Sequence, residues 1–441
     1  MMTAQLRTEQ TYTSRDPKTS ALYRIVAEHF EALKRCYSER FEETYGPWKK
    51  QWDIVVERFL RCGDLHYGFA RVYCFGCRHT FLRPLTCKAR NFCPSCEAKR
   101  RALWVEHVVQ NVLPGNIPFR MIVFTMPKSL RRIFMRERVL LGDFARVAYT
   151  CTRLFFQEQF PQADGVPYFI TSLHNAGDHI HIHPHLHCIC SCGIKSKDGV
   201  FHPAPEEIDF SPLEEMFRHG ILNMLCEKGR LTEQTRKRFL AWRNSGFSAD
   251  ASTVVGKDDR EGLERVTAYV LRPPVSLKRL TYQSGASTVL YRGRYNPSTK
   301  SNFTVLDPKE FLVLLLSHVP PKNECLIRYF GAAASTERRL GGDPQVPLLE
   351  EESTYVKKRR NSWARLIHKI YGVDPLKCPK CGSEMKVIAF IKDEEVIEKI
   401  LRHLEVWDPP RGPPFEPQVK ETVYDYNVFD DIHPVEMQSR M

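Results

Sequence analysis

The chain reads as an α+β protein whose N-terminal part is organised by zinc. Three observations lead there. Residues 179–192, HIHIHPHLHCICSC, set histidines and cysteines against apolar residues with a period of two, as a half-buried strand does. Long stretches on either side carry apolar residues at helical spacing. Two C-x-x-C pairs, Cys74/Cys77 and Cys93/Cys96, stand fifteen residues apart, a separation over which two tight turns can close on one tetrahedral ion.

Taken in order, residues 1–20 are polar, and ALYRIVAEHFEALKRCYSERF then has the spacing of an amphipathic helix, giving an N-terminal helical segment over 1–50. A cysteine-rich block, 51–105, follows. Cys74, Cys77, Cys93 and Cys96 are the expected tetrathiolate, which leaves Cys62 and Cys87 either to join a second site with His66 or His79 or to pack as small apolar residues; packing is the favoured alternative. EAKRRALWVEHVVQNVLP is helical in pattern, and FRMIVFTMP, bounded by Pro118 and Pro127, reads as a buried strand. One helix is expected over about 129–159, strands over 166–174 and 185–192, and helix again over 206–243.

In the histidine stretch Pro184 cannot donate to a ladder, so the regular strand is expected to begin after it, with His185 and His187 as the cleanest pair. Two imidazoles at i and i+2 on one face can grip a divalent ion from the same side. Further on, an Asp cap and a Pro273–Pro274 stop bracket a helix over about 259–271. On it Arg265, Tyr269 and Arg272 share a face, a grouping suited to phosphate, although an exposed amphipathic face with Tyr269 half-buried is the favoured reading of these residues alone.

Residues 279–306 have hairpin character, and 308–330 carry an apolar helix and a strand-like piece. A charged linker over 332–362 leads to a small C-terminal module, 363–405, with a third C-x-x-C pair at Cys378/Cys381. Two thiolates alone do not complete a zinc site. The tail, 406–441, is proline-rich and expected to be disordered.

The 441 residues carry a net charge of +13, which favours a polyanionic partner, with nucleic acid ahead of an anionic membrane surface. The longest apolar run, FLVLLL, is far too short to span a bilayer, and the polar N-terminus has no signal-peptide core, so a cytoplasmic protein is expected. In a reducing compartment fifteen cysteines point to zinc rather than disulfides.

The cysteine block with TCKARNFCPSC, the HPHLH core, YVLRPPVSLKRL, FLVLLLSHVPPKNECLIRYFGAAA and DPLKCPKCG together resemble the HUH-type rolling-circle transposases of bacterial insertion sequences, over about residues 50–405. The resemblance implies a zinc-ribbon DNA-recognition domain followed, over 106–331, by an HUH nuclease domain with a central antiparallel sheet flanked by helices. It puts the HUH pair on His185 and His187 and the nucleophile on Tyr269, with Arg272 beside it. Arg265 occupies the place of a second tyrosine, so this is a single-tyrosine form, in which Arg265 is expected to help balance phosphate charge. His174 stands where a glutamine is common and Cys192 where an aspartate is usual, which makes His174 and His183 the candidates for a third metal ligand.

The implied activity is metal-dependent cleavage and transfer of single-stranded DNA through a covalent 5′-phosphotyrosine. The cofactors are structural Zn²⁺ and catalytic Mg²⁺ or Mn²⁺. The implied partner is DNA, as single-stranded or hairpin ends of the mobile element and as target, met at the nucleoid. Arg71, Arg83, Lys88, Arg90, Lys99, Arg100 and Arg101 are the expected DNA-binding residues. A replication initiator or relaxase uses the same chemistry, and a catalytically inactive DNA-binding remnant keeps the zinc and the basic surface.

Overall fold

The computed structural model describes residues 17–296, 300–334 and 376–407. The chain opens with helices α1 (Ala21–Arg40), α2 (Glu42–Tyr45) and α3 (Lys50–Leu60) and the strands β1 (Phe69–Cys74) and β2 (Thr80–Pro84). Next come α4 (Pro94–Asn111), β3 (Phe119–Thr125), α5 (Lys128–Arg136), α6 (Leu140–Gln159), β4 (Gly165–Val166), β5 (Tyr168–Ala176), β6 (Ile182–Ser191), β7 (Gly193–Ser196) and β8 (Phe201–Pro203). They are followed by α7 (Ser211–Glu227), α8 (Glu233–Leu240), β9 (Ser248–Val255), α9 (Arg260–Val270), β10 (Leu280–Gln283), β11 (Thr288–Asn296), β12 (Ser301–Leu306), α10 (Pro308–Ser317) and β13 (Ile327–Gly331). The last elements are β14 (Met385–Ile391) and α11 (Glu394–His403).

The centre is a five-stranded sheet in the order β13-β5-β6-β3-β9, antiparallel throughout, with the histidine strand β6 in the middle. Strand alternation gives each face its own task. Leu186, Cys188 and Cys190 of β6, with Phe169 and Leu173 of β5, enter the large core formed with α5, α6 and α7. The opposite face carries Ile170 and Ile189, which meet Trp104, Val105 and Val108 of α4 and Leu263 and Val270 of α9. His185 and His187 share that second face by parity. Cys188 and Cys190 are therefore core residues, and burial pushes the Cys188 thiol up to about 12.

The helical N-terminus is no free-standing segment. Leu22, Ile25, Val26, Phe30 and Leu33 make the buried stripe of α1, which packs with α3 and the apolar α10 in a second core. Ser20 caps α1 by accepting the Tyr23 N–H at 3.2 Å.

Several expectations shift. Strand β6 starts at Ile182, before Pro184. The proline lies beyond the last pair with β3, His185↔Thr125, and opposite the irregularity between His174 and Ala176 on β5, so no ladder bond is lost. The helix expected over 129–159 breaks at 137–139, where Glu137 pairs with Arg230 and Arg138 with Glu324 across the fold. The helical region expected over 206–243 is two helices, α7 and α8. Strand β9 went unforeseen because its inward residues, Ala249 and Ala251, are small and poor strand formers.

The C-terminal module is not separate either. Strand β14 pairs antiparallel with β1 in the sheet β14-β1-β2, and Ile397 and Leu401 of α11 pack on Phe69. Most of the expected linker and nearly all of the expected disordered tail lie outside the described residues, as does the N-terminal segment to residue 16.

Candidate functional site

His185 on β6 stands in register with His174 on β5, and His187 follows two residues on, so three imidazoles converge on one face of the sheet. One ring nitrogen from each lies within 4.8 Å of the others. The hydrogen bonds decide which nitrogen. His185 Nδ1–H donates to the His183 carbonyl at 2.7 Å, leaving the lone pair on Nε2, which faces His187 Nε2 at 3.1 Å. His174 Nε2–H donates to the Val270 carbonyl at 2.6 Å, leaving its lone pair on Nδ1.

Burial holds His185 down to about 4 and His174 to about 3, and depresses His187 strongly, so all three rings are neutral at neutral pH. With its proton on Nε2, His187 donates to the His185 lone pair; with its proton on Nδ1, both Nε2 lone pairs are free for a cation. Ligands bound at about 2.1 Å and roughly a right angle to a common ion stand about 3 Å apart, close to the spacing found. The donor set thus fits a divalent ion.

Of the two candidates for a third ligand, the structure brings in His174 and leaves His183 out of the group. The first two histidines of the stretch lie apart from it. His179 bonds the Thr304 hydroxyl at 2.9 Å, and His181 lies over Gly177, where a Cβ would meet its Nε2 at 2.8 Å.

Tyr269 sits beside this centre. Helix α9 starts at Asp259, whose carboxylate accepts the Gly262 N–H at 2.8 Å, and packs on α4 through its apolar side. Its last turn presents Tyr269 edge-on to His187, with ring centroids 5.2 Å apart and planes at 85°. Arg272 Nη1 donates to the Tyr269 hydroxyl at 3.2 Å while its guanidinium lies 5.1 Å from the ring centroid. The phenol is 36% exposed, open enough to meet a substrate. Arg265 does not flank the phenol as its spacing suggested; it turns to Glu261 and Asp259, at 3.6 and 4.0 Å.

The cysteines regroup. The expected set of Cys74, Cys77, Cys93 and Cys96 does not form; two other sets do, Cys62/Cys87/Cys93/Cys96 and Cys74/Cys77/Cys378/Cys381. The reason is the β1–β2 hairpin. Cys74 and Cys77 lie at its tip, whereas Cys62 and Cys87 flank its base, where Gly63 N–H bonds the Leu85 carbonyl at 3.1 Å. A six-residue strand spans roughly 20 Å, too far for one ion.

In the first cluster Sγ···Sγ distances are 3.9 Å for Cys62–Cys93 and Cys62–Cys96 and 3.5 Å for Cys87–Cys96, and the Cys87 N–H points at Cys62 Sγ. In the second, Cys74–Cys381 and Cys77–Cys378 are both 3.5 Å. These are close to the separations of ligands about 2.3 Å from one tetrahedral zinc, and well beyond a disulfide. Hydrogen bonds from Ser383 pull the Cys381 thiol down to about 6, towards the thiolate that zinc needs. Packing was thus the wrong choice for Cys62 and Cys87. His66 belongs to neither set; its ring bonds Asp64 at 2.6 Å. His79 also stands outside both sets.

The basic residues divide. Arg90 donates to the carbonyls of Glu324 and Pro321, at 3.1 and 3.4 Å, and so holds a loop of the chain. Lys99 is lowered mainly by burial and lies in the field of the first cluster's thiols. Arg71 is exposed on β1, while Arg83, Lys88 and Arg101 are half-buried or exposed around the hairpin and the start of α4. Arg100 lines a cavity with Arg272 and His174. Sequence reasoning missed the buried polar residues Glu97, Asn175 and His318 of that cavity; His318, after the apolar run FLVLLLS, carried a signal, whereas Glu97 and Asn175 lie among other polar residues.

Fold and site together define an α+β protein with an imidazole centre beside a tyrosine, stitched by cysteine clusters suited to zinc. Comparison with known proteins gives the class. Residues 30–126 match the family model "Transposase zinc-binding domain", and residues 169–339 match the family model "Putative transposase". The transposase for insertion sequence element IS801 of Pseudomonas savastanoi pv. phaseolicola is 25% identical over 362 residues, 77% of this chain and 84% of that protein. Over most of its length the chain is thus similar to insertion-sequence transposases. No solved structure gives a significant match.

Proposed function

We propose that the chain cleaves single-stranded DNA at the ends of its own element and rejoins it through a covalent 5′-phosphotyrosine on Tyr269, on an HUH-type nuclease fold. One observation carries this: Tyr269, its hydroxyl held by Arg272, packs edge-on against His187, one of three imidazoles that converge on the central sheet. A phenol ordinarily titrates near 10 and is a weak nucleophile at neutral pH. Arg272 holds the phenol oxygen, and the same guanidinium is placed to balance phosphate charge.

The Tyr269 oxygen attacks phosphorus and gives up its proton to water, the bond to the 3′-oxygen breaks, and that oxygen takes a proton from water and leaves as a hydroxyl, so that the net transfer is one proton from phenol to 3′-oxygen. Because the phosphotyrosine conserves the energy of the broken ester, a later 3′-hydroxyl can attack it, release the phenol and join strands without ATP. His174 Nδ1 and the Nε2 atoms of His185 and His187 would hold Mg²⁺ or Mn²⁺, which when bound polarises the scissile phosphate. The sheet faces and the α4–α9 packing keep the rings and the phenol in place.

The division of labour follows. Residues 51–105, completed by β14 and α11, form the zinc-dependent DNA-recognition part, whose Arg71, Arg83, Lys88 and Arg101 meet phosphates. Residues 106–331 form the nuclease, on which the N-terminal helices pack through α10. A transposase working on chromosomal DNA acts in the cytoplasm, at the nucleoid.

The test is incubation of the full chain with labelled single-stranded element ends and Mg²⁺ or Mn²⁺. A denaturation-resistant adduct that maps to Tyr269 supports the proposal. An adduct on another residue, or cleavage with no adduct, overturns it.

A further inference from the structure

Between the zinc-bearing helix α4 and the end of the catalytic helix α9 lies a cavity of about 260 Å³. It opens beside the histidine centre, because His174 and Arg272 belong to both. Its size is just under the lower end of small-ligand pockets, about 300 Å³, which suits one planar heterocycle and not a run of nucleotides.

Among the polar residues around it, Arg90, Arg100 and Arg272 are donors only. Three buried residues of the lining offer acceptors. Glu97 is 8% exposed, and one of its oxygens accepts the Asn91 N–H at 3.0 Å. Asn175 is 7% exposed, with Oδ1 unpartnered. His318 is 1% exposed; its Nε2–H donates to the Ile180 carbonyl at 2.7 Å, so Nδ1 is an acceptor, and that atom too has no partner. Buried acceptors without donors are uncommon in folded proteins and point to a missing N–H-bearing ligand.

We propose that this cavity takes one unstacked guanine of the DNA strand next to the scissile phosphate and reads its Watson–Crick edge. Guanine is the base that sets three N–H donors, N1–H and the N2 amino group, side by side next to the O6 and N7 acceptors. Its donors meet Glu97, Asn175 and His318, and its acceptors meet the guanidiniums. Adenine, cytosine and thymine each lack the paired imino and amino donors that a single carboxylate can accept together. Seating the base between the two helices also fixes the adjoining phosphate against Arg272 and Tyr269, so recognition and positioning are one act.

The inference rests on the proposed cleavage of single-stranded DNA, and its test is arranged to fail separately. Fluorescence anisotropy is read with the uncleaving Tyr269→Phe chain and single-stranded element ends, in which each guanine within a few nucleotides of the nick is replaced in turn by inosine. Inosine lacks only the N2 amino group, a charge-assisted hydrogen bond whose loss weakens binding roughly 10- to 100-fold. One guanine position is expected to show that loss in the Tyr269→Phe chain and to lose most of it when Glu97→Gln is added.

Zinc content and thermal melting of the Glu97→Gln chain establish that its fold is kept; if they change, Arg100→Ala replaces it, with 7-deazaguanine in place of inosine. The proposal is overturned if no guanine position is sensitive, or if the sensitivity is undiminished in the folded variant. A guanine preference that persists while no adduct ever forms would sink the cleavage chemistry and leave the pocket standing.

Discussion

The histidine centre and the cysteine clusters both bring together side chains able to hold a metal ion, but they are held by opposite means. His174, His185 and His187 stand on paired strands in the middle of a five-stranded sheet, with apolar cores on both faces. Ladder hydrogen bonds and packing set their positions whether or not an ion is present. The cysteines come from turns and segment ends: Cys62 follows α3, Cys93 begins α4, and Cys378 and Cys381 lie in the knuckle before β14. The core around the second cluster has just six fully buried residues, among the described ones, two of them its own cysteines. A metal at the imidazoles adds chemistry to a fold that already exists, whereas zinc at the thiols supplies part of the folding free energy.

The contrast breaks most sharply at Tyr269. Removing its oxygen in Tyr269→Phe is expected to lower strand cleavage by on the order of 10⁴-fold or more, with melting temperature and zinc content unchanged. Single-turnover cleavage beside calorimetry measures both, and a large loss of stability would mean that the phenol is structural. His185→Ala or His187→Ala is expected to cost about 10²- to 10³-fold in cleavage while single-strand binding changes by less than about threefold, because the phosphate contacts lie elsewhere. Equal losses of binding and cleavage would put the histidines in the same class as the cysteines.

The cysteine substitutions should show the reverse pattern. Elemental analysis is expected to find two zinc ions per chain, falling to one in Cys87→Ser and in Cys381→Ser. Cys87→Ser opens a buried cluster next to the helical core and is expected to destabilise the chain by several kcal/mol. Cys381→Ser loosens an exposed knuckle, and hydrogen exchange should rise in β14 with cleavage largely retained. If Cys381→Ser still holds two zinc ions, the second cluster has been misread.

A smaller effect concerns His318, which is no part of either set and which burial holds down to about 4, against 6.5 when unfolded. Between those values the unfolded chain binds a proton that the native chain refuses, so stability falls as pH drops from about 6.5 to 4, by up to about 3 kcal/mol from this residue. Unfolding titrations across that range should show a shallower loss in His318→Gln. The smallest effect is expected for Arg265→Ala, within about twofold in cleavage, since Arg265 turns away to Glu261 and Asp259.

What was legible in the sequence was local. The period of two in HIHIHPHLHCICSC marks β6, the Asp259 cap and the Pro273–Pro274 stop bracket α9, and the apolar run before Pro127 is β3. Each of these signals lies within a dozen or so residues, where side-chain periodicity and capping act directly on the backbone. Strand β9 was hidden for want of such a signal, since alanine and serine alternate too weakly to declare a strand.

By itself the sequence determined which residue types could do chemistry and which face of β6 and α9 they share, because strand and helix geometry follow from local sterics. Only the tertiary structure decided which of them meet. Cys74 lies about three hundred positions before Cys378 and Cys381, and nothing in either segment encodes the antiparallel pairing of β1 with β14 that joins them. His174 was separated from His183 as the third imidazole by the register of β5 against β6, and Arg265 was parted from Tyr269 by acidic neighbours at the start of its own helix. Such contacts are chosen by burial and pairing over the whole chain, where a shift of one residue in register would carry every side chain of a strand to the opposite face.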